Sequence, residues 1–179
     1  MEYNTENIER NSRSSCLEIR NLSISHREQQ DDLIGISQKI FRELSVEIKY
    51  SDLNDIRLLT TKTNTKTLLV TLHSVILKNK LLKAYRDYNN QRTNMKLNTS
   101  ILDTIENRSV HELTRPIYIS ENLSARARRL FHAARIFAKQ ERYKYCWTSH
   151  GKILLRKEDN TKIVIIESES QLSEMASKN

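Results

Sequence analysis

Residues 124–157 read SARARRLFHAARIFAKQERYKYCWTSHGKILLRK, and within them a helix signal gives way to two strand signals. Ser124 is an N-cap residue, its hydroxyl placed to accept from a first-turn N–H. Ala127, Leu130, Ala134, Phe137 and Ala138 then recur at helical spacing, which predicts a helix over 125–142. Alternation takes over at 144–148 and 152–157, two strands joined through Ser149-His150-Gly151, a hairpin signal in which the glycine supplies a positive φ. Glu158-Asp159-Asn160-Thr161 turns the chain into a third strand at 162–166, and a short polar helix (170–176) closes the unit. With the strand IYIS (117–120) after Pro116, these elements make a small αβ domain with an antiparallel sheet.

Upstream the patterns repeat the mixture. CLEIRNL alternates Leu17 and Ile19 inward with Glu18 and Arg20 outward, a strand. Asp31 and Asp32 favour the start of a helix through its dipole, with Leu33, Ile36, Ile40 and Leu44 at helical spacing. Segments 46–50 and 56–60 read as extended, and TKTLLVTLH (65–73) as a strand. Ser74 caps a second helix to about residue 88, with Leu77, Leu81, Leu82 and Tyr85 inward and Lys78, Lys80, Lys83 and Arg86 outward. A short strand around 96–97 completes a β-α-β-β-α-β unit. The expected partition is a polar N-terminal stub (1–15), a first domain (16–98), a linker (99–115) and a second domain (116–179). The fold class is α+β.

Two Gly and one Pro in 179 residues imply short loops and a chain that is mostly helix and strand. No apolar run approaches the roughly 20 residues that span a bilayer, so no membrane association is expected. The polar start, MEYNTENIERNSRSS, is unlike a signal peptide or transit sequence. Cys16 and Cys146, far apart and without partners at metal spacing, read as buried, reduced thiols of a nuclear and cytoplasmic protein.

Charge is distributed unevenly. Residues 115–157 hold eleven Lys/Arg against Glu121 and Glu141, a local balance of +9, whereas the whole chain carries +8. Arg128, Arg135, Lys139 and Arg142 fall along one line of the expected helix, with His132 at its edge. Such a ridge, unrelieved by acids at i±4, repels itself. It reads either as a solvated face or as a track for a phosphate backbone, and the lack of interspersed acids favours the track. Lys152, Arg156 and Lys157 add cations from the hairpin. Tyr145 and Trp147 share one face of its first strand, where they stack on unpaired bases or pack under the helix; Trp147, the only tryptophan, is read as core. Lys78, Lys83 and Arg86 extend the cationic surface from the first domain, with Arg20 on its sheet and Arg115 at the junction. A cationic surface of this kind calls for a polyanionic partner, single-stranded RNA or DNA, held with weak sequence preference.

Signals for catalysis are poor. His26, His73, His111, His132 and His150 have no Cys or carboxylate at ligand spacing, no phosphate-cradling glycine loop is present, and no Ser or Cys sits in a nucleophile elbow. The expectation is a non-enzymatic protein without cofactor or metal.

CLEIRNL, the helix after it, TKTLLVTLH and the basic second helix together resemble the RRM-like domain of first open-reading-frame proteins of LINE-type retrotransposons. RPIYISENLSARARRLFHAAR and YKYCWTSHGKILLRKEDNTKIVII resemble the C-terminal domain of the baculovirus few-polyhedra (FP) protein, which also follows such an RRM-like unit in insect retroelement proteins. The resemblance covers about residues 9–175. It implies an RRM-like sandwich followed by an FP-type C-terminal domain, and a single-strand binder, chaperone-like in the retroelement branch. In the baculovirus branch it implies a role in virion and occlusion-body formation through protein contacts, in the nucleus and cytoplasm of a host cell. Two departures stand out. The sheet positions where an RRM carries base-stacking aromatics fall here on Glu18, Thr67, Leu69 and Thr71. The long N-terminal coiled coil of the family is represented only by a stub ending in IERNSR (8–13), so trimerisation does not carry over and self-association stays open.

Overall fold

The computed structural model describes residues 2–22, 29–60, 66–92, 95–102 and 114–177. His26, His111 and most of the expected linker lie outside these residues. Contacts divide the chain into two compact units, Ser15–Ser120 and a second made of Met1–Ser14 with Glu121–Asn179. Both combine helices with antiparallel strands, so the α+β class holds.

The first unit runs β1 (Cys16–Arg20), α2 (Gln30–Glu43), β2 (Leu53–Thr60), β3 (Lys66–Leu72), α3 (Val75–Gln91) and β4 (Tyr118–Glu121), after an N-terminal helix α1 (Glu2–Ser12) that belongs to the other unit. The strand order β2-β3-β1-β4 is a β-α-β-β-α-β sheet. Leu17 pairs with Val70 and Ile19 with Leu68. All four are buried with Leu72, Ile40, Phe41 and Leu81 in one core.

Three expectations change here. The fourth strand is Tyr118–Glu121, not the segment around 96–97. Residues 97–99 meet 115–117 in a single bridge, Asn98 opposite Pro116, with Ile117 N–H donating to Leu97 O at 2.8 Å and Thr99 N–H to Arg115 O at 2.9 Å. Pro116 has no N–H, which limits ladder growth there, and the strand forms just beyond it. IYIS therefore completes the first sheet, and the first unit runs past the expected boundary to Ser120.

Lys78 is the second change. It is 1% exposed, buried rather than outward. Its position explains this, since Lys78, Leu81 and Tyr85 stand at i, i+3 and i+7, on one stripe of α3. Lys80, Lys83 and Arg86 are exposed as expected. The third is Glu18, expected outward and found 5% exposed beside Cys16. β1 is an interior strand between β3 and β4, and only Arg20 at its end is exposed.

The second unit has two layers. α4 (Ala125–Gln140) lays Ala127, Leu130, Ala134, Phe137 and Ala138 on a sheet ordered β5-β6-β7 (Tyr145–Ser149, Lys152–Arg156, Val164–Ile166), which contributes Ile153, Leu155 and Ile166. α5 (Glu169–Ala176), capped by Ser168, adds Leu172. At the hairpin turn both His150 (φ 53°) and Gly151 (φ 69°) are left-handed, the two-residue turn that matches strand twist. Glu121, 7% exposed, accepts from both turn amides, His150 N–H at 2.9 Å and Gly151 N–H at 3.2 Å. The expected stub is helix α1. Its Glu6 accepts from Ser124 Oγ at 2.6 Å, its Arg10 lies over Gly151, and Arg13 beyond it donates to Asn122.

Candidate nucleic-acid interface

α4 begins as its sequence requires. Ser124 Oγ accepts from Ala127 N–H at 3.0 Å, satisfying one of the donors a helix start leaves open. The helix contains no acid, and Arg126, Arg128, Arg129, Arg135 and Lys139 are all exposed. They separate into two flanks. Arg126 and Arg129 line a cavity of about 550 Å³ together with Glu6 and Glu9 of α1, Glu167 before α5 and Glu169 at its start, so acids offset their charge. Arg128, Arg135 and Lys139, with His132, form the other flank. Among the described residues no carboxylate pairs with Arg135 or Lys139. The Arg135 guanidinium lies 6.0 Å from the Phe131 ring centroid. At the start of this flank an open groove of about 800 Å³ sets Arg13, Arg128 and His132 around the apolar Leu123, Ala133 and Ile136, with Arg129 and the acid Glu169 also on its lining, so the two flanks meet there.

Arg142 does not continue the ridge. α4 ends at Gln140, and Glu141 N–H bonds Phe137 O while Tyr143 N–H bonds Ala138 O at 2.7 Å. This is a Schellman cap in which Arg142, at φ 56°, takes the left-handed position usually given to glycine. The Tyr143 ring returns to within 5.6 Å of Phe137, and Lys157 Nζ sits 5.8 Å from Tyr143.

The hairpin cations are placed differently from expectation. Register pairs Tyr145 with Arg156, Cys146 with Leu155, Trp147 with Leu154 and Thr148 with Ile153. Cys146, Ile153 and Leu155 belong to the core under α4. Strand alternation therefore turns Tyr145, Trp147, Lys152, Leu154 and Arg156 to the opposite face. Trp147 is half-buried and stands outside the core cluster, not under the helix. The ridge of α4 and the hairpin cations Lys152 and Arg156 lie on opposite sides of a two-layer unit, so they do not line one cleft, whereas Lys157 stays beside Tyr143 at the end of α4. Tyr145 is already engaged: its hydroxyl donates to Asp159, its ring lies 4.4 Å from the Arg156 guanidinium, and Lys144 pairs with the same Asp159. Those hydrogen bonds, the one from Lys144 first, hold the Asp159 carboxyl below its ordinary range.

In the first unit, Arg20 is exposed and donates to Ser120 Oγ at 3.3 Å, and Arg115 is exposed with its N–H on Thr99 Oγ1 at 3.0 Å. No residue with an aromatic ring occupies Glu18, Thr67, Leu69 or Thr71, and the buried Glu18 makes that sheet face a poor surface for a polyanion.

Burial pushes the Cys146 thiol up to about 11, and the nearby Arg135 charge opposes this only in part. It is therefore protonated at neutral pH and a poor nucleophile. Iodoacetamide should modify Cys146 more slowly than a free cysteine at pH 7.5, with the rate climbing only above about pH 10; peptide mapping after timed alkylation measures it. Ready modification at neutral pH would show that the thiol is not shielded as described.

No helix among the described residues is long and apolar enough to cross a membrane. Residues 124–176, which carry α4, the three-stranded sheet and α5, match the family model described as Baculovirus FP protein domain 2. No curated protein matches the chain.

Proposed function

We propose that this chain is a non-enzymatic, single-stranded nucleic-acid-binding protein of FP type, an RRM-like unit followed by an FP-type unit, acting without cofactor in the nucleus and cytoplasm of a host cell. One observation carries the reading. α4 presents five exposed cations and no acid along its length, and its Arg135 and Lys139 have no carboxylate partner among the described residues. Self-repulsion of this kind costs a few tenths of a kcal/mol per pair, and a phosphate backbone supplies the compensating charge. Contacts of that sort position a strand without reading its bases, which agrees with weak sequence preference.

The measurement is affinity for a single-stranded oligonucleotide against salt. Three to five phosphate contacts give a slope of log K against log salt of about −2 to −3.5, from about −0.7 per contact. A flat response removes the proposal. A second reading, an assembly protein whose basic face docks on an acidic protein surface, draws on the match of residues 124–176 to the FP domain. An unrelated oligonucleotide competes with the first activity and not with the second.

A further inference from the structure

The outer face of the three-stranded sheet has an order that the charge count does not reveal. Trp147 on β5 stands opposite Leu154 on β6, and Leu154 stands opposite Ile165 on β7. Directly opposed residues share a face, so these three side chains form one apolar row across the sheet, on the side away from α4. Ile165 is 43% exposed, and Trp147 and Leu154 are half-buried. One step along the strands lies the row Tyr145–Arg156, with the guanidinium laid against the tyrosine ring. One step the other way, Lys152 pairs with Ser149 and is exposed. A flat apolar strip is thus bordered on both sides by a cation at the two-residue spacing of a strand, roughly 7 Å.

We infer that this sheet face is a base-stacking platform for unpaired nucleic acid, in which a base lies on Trp147 and Lys152 and Arg156 take the flanking phosphates. The inference rests on the nucleic-acid reading above and adds to it a second surface, distinct from the α4 ridge. Charge selects the occupant. Cations at the rim favour phosphates, while an indole flanked by aliphatic side chains offers a π-face that every base accepts. Asp159, beside this face, pairs with Lys144 and Tyr145 and lies 3.9 Å from the Arg156 guanidinium, so a phosphate at Arg156 competes with a carboxylate that two other groups already share. Tyr145 then serves to hold Arg156, not to stack. β5 is an edge strand, and Cys146, the neighbour of Trp147, lies on its inner side against the core that α4 covers. A single strand can therefore lay a base on the outer face and carry its phosphates round the β5 edge to the ridge.

Trp147 is the chain's only tryptophan, which makes it its own reporter. Titrating the full chain with oligo-dT of about ten nucleotides should quench indole emission by half or more. Anisotropy of an end-labelled copy follows binding independently. Trp147→Leu, which keeps the apolar row but removes the ring system, should weaken binding about tenfold or more, while Trp147→Phe recovers much of it. Salt-dependent anisotropy with unchanged emission and unchanged Trp147→Leu affinity overturns the platform and leaves the ridge standing. No binding by anisotropy overturns both readings. Emission that shifts with protein concentration alone assigns the face to a second copy of the chain and overturns the platform as well.

Discussion

Replacing Arg128, Arg135 and Lys139 together with Glu lowers affinity for a single-stranded oligonucleotide by at least about 100-fold at about 0.15 M salt. Each change removes one attraction and adds one repulsion. At that ionic strength the screening length is about 8 Å, so groups in contact with phosphates are weakly screened. At about 1 kcal/mol for each reversed site, three sites give about 3 kcal/mol, or a little over two decades. Thermal unfolding should hardly move, because all three side chains are exposed and surface changes of this type stay within about 0.5 kcal/mol each. The dipole of α4 even splits the effect, since Glu is favoured near its start and disfavoured near its end. Filter binding beside a melting curve decides the matter. Lost binding with an unchanged melt supports the ridge, whereas a melt lowered by ten degrees would make these residues structural. The flank at Arg126 and Arg129 is the built-in comparison. Glu6, Glu9, Glu167 and Glu169 surround it, so Ala at both positions should cost binding far less.

What the sequence disclosed divides along a physical line. Periodicity located α4, its cap and the hairpin, because each is written in neighbours three to five residues apart. It could not rank faces that depend on the other side of the unit. Trp147 and Cys146 alternate on β5, and nothing local says which of them meets α4; in the fold it is Cys146 that packs against the cluster holding Ala134, Phe137 and Ala138. Arg142 fits the helical phase perfectly as a letter, yet the Schellman cap takes it out of the helix one residue after Glu141. Lys78 went wrong for the opposite reason. Its phase with Leu81 and Tyr85 was readable, and its charge overrode that reading. The fourth strand was hidden by distance, since IYIS joins β1 across about a hundred residues of chain.

Glu121 is the residue whose role was least legible, and Glu121→Ala should be as damaging as truncating a core side chain of the second unit. It stands in a segment of +9 net charge, where an acid looks like a liability for a polyanion binder. Burial resolves the conflict. At 7% exposure its carboxylate faces the turn amides of His150 and Gly151 and not the solvent where phosphates pass. Hydrogen bonds to a charged acceptor contribute about 1.5–3 kcal/mol each. Part of this returns when the carboxylate no longer needs desolvation, which leaves a loss of about 2–4 kcal/mol. For a unit of this size that lowers the melting temperature by about 10–25 °C. Glu121→Gln, neutral but still able to accept, should lose roughly half as much. Hydrogen exchange supplies the local test. The amides of His150 and Gly151 should exchange much faster in Glu121→Ala, and a melt or exchange rate equal to the parent would remove the clamp. The consequence reaches the binding surface, because this turn fixes the register of β5 on β6. A one-residue slip would carry Trp147 from the outer face into the core and Cys146 out. In Glu121→Ala, indole quenching by oligo-dT should therefore fade at temperatures where the first unit is still folded.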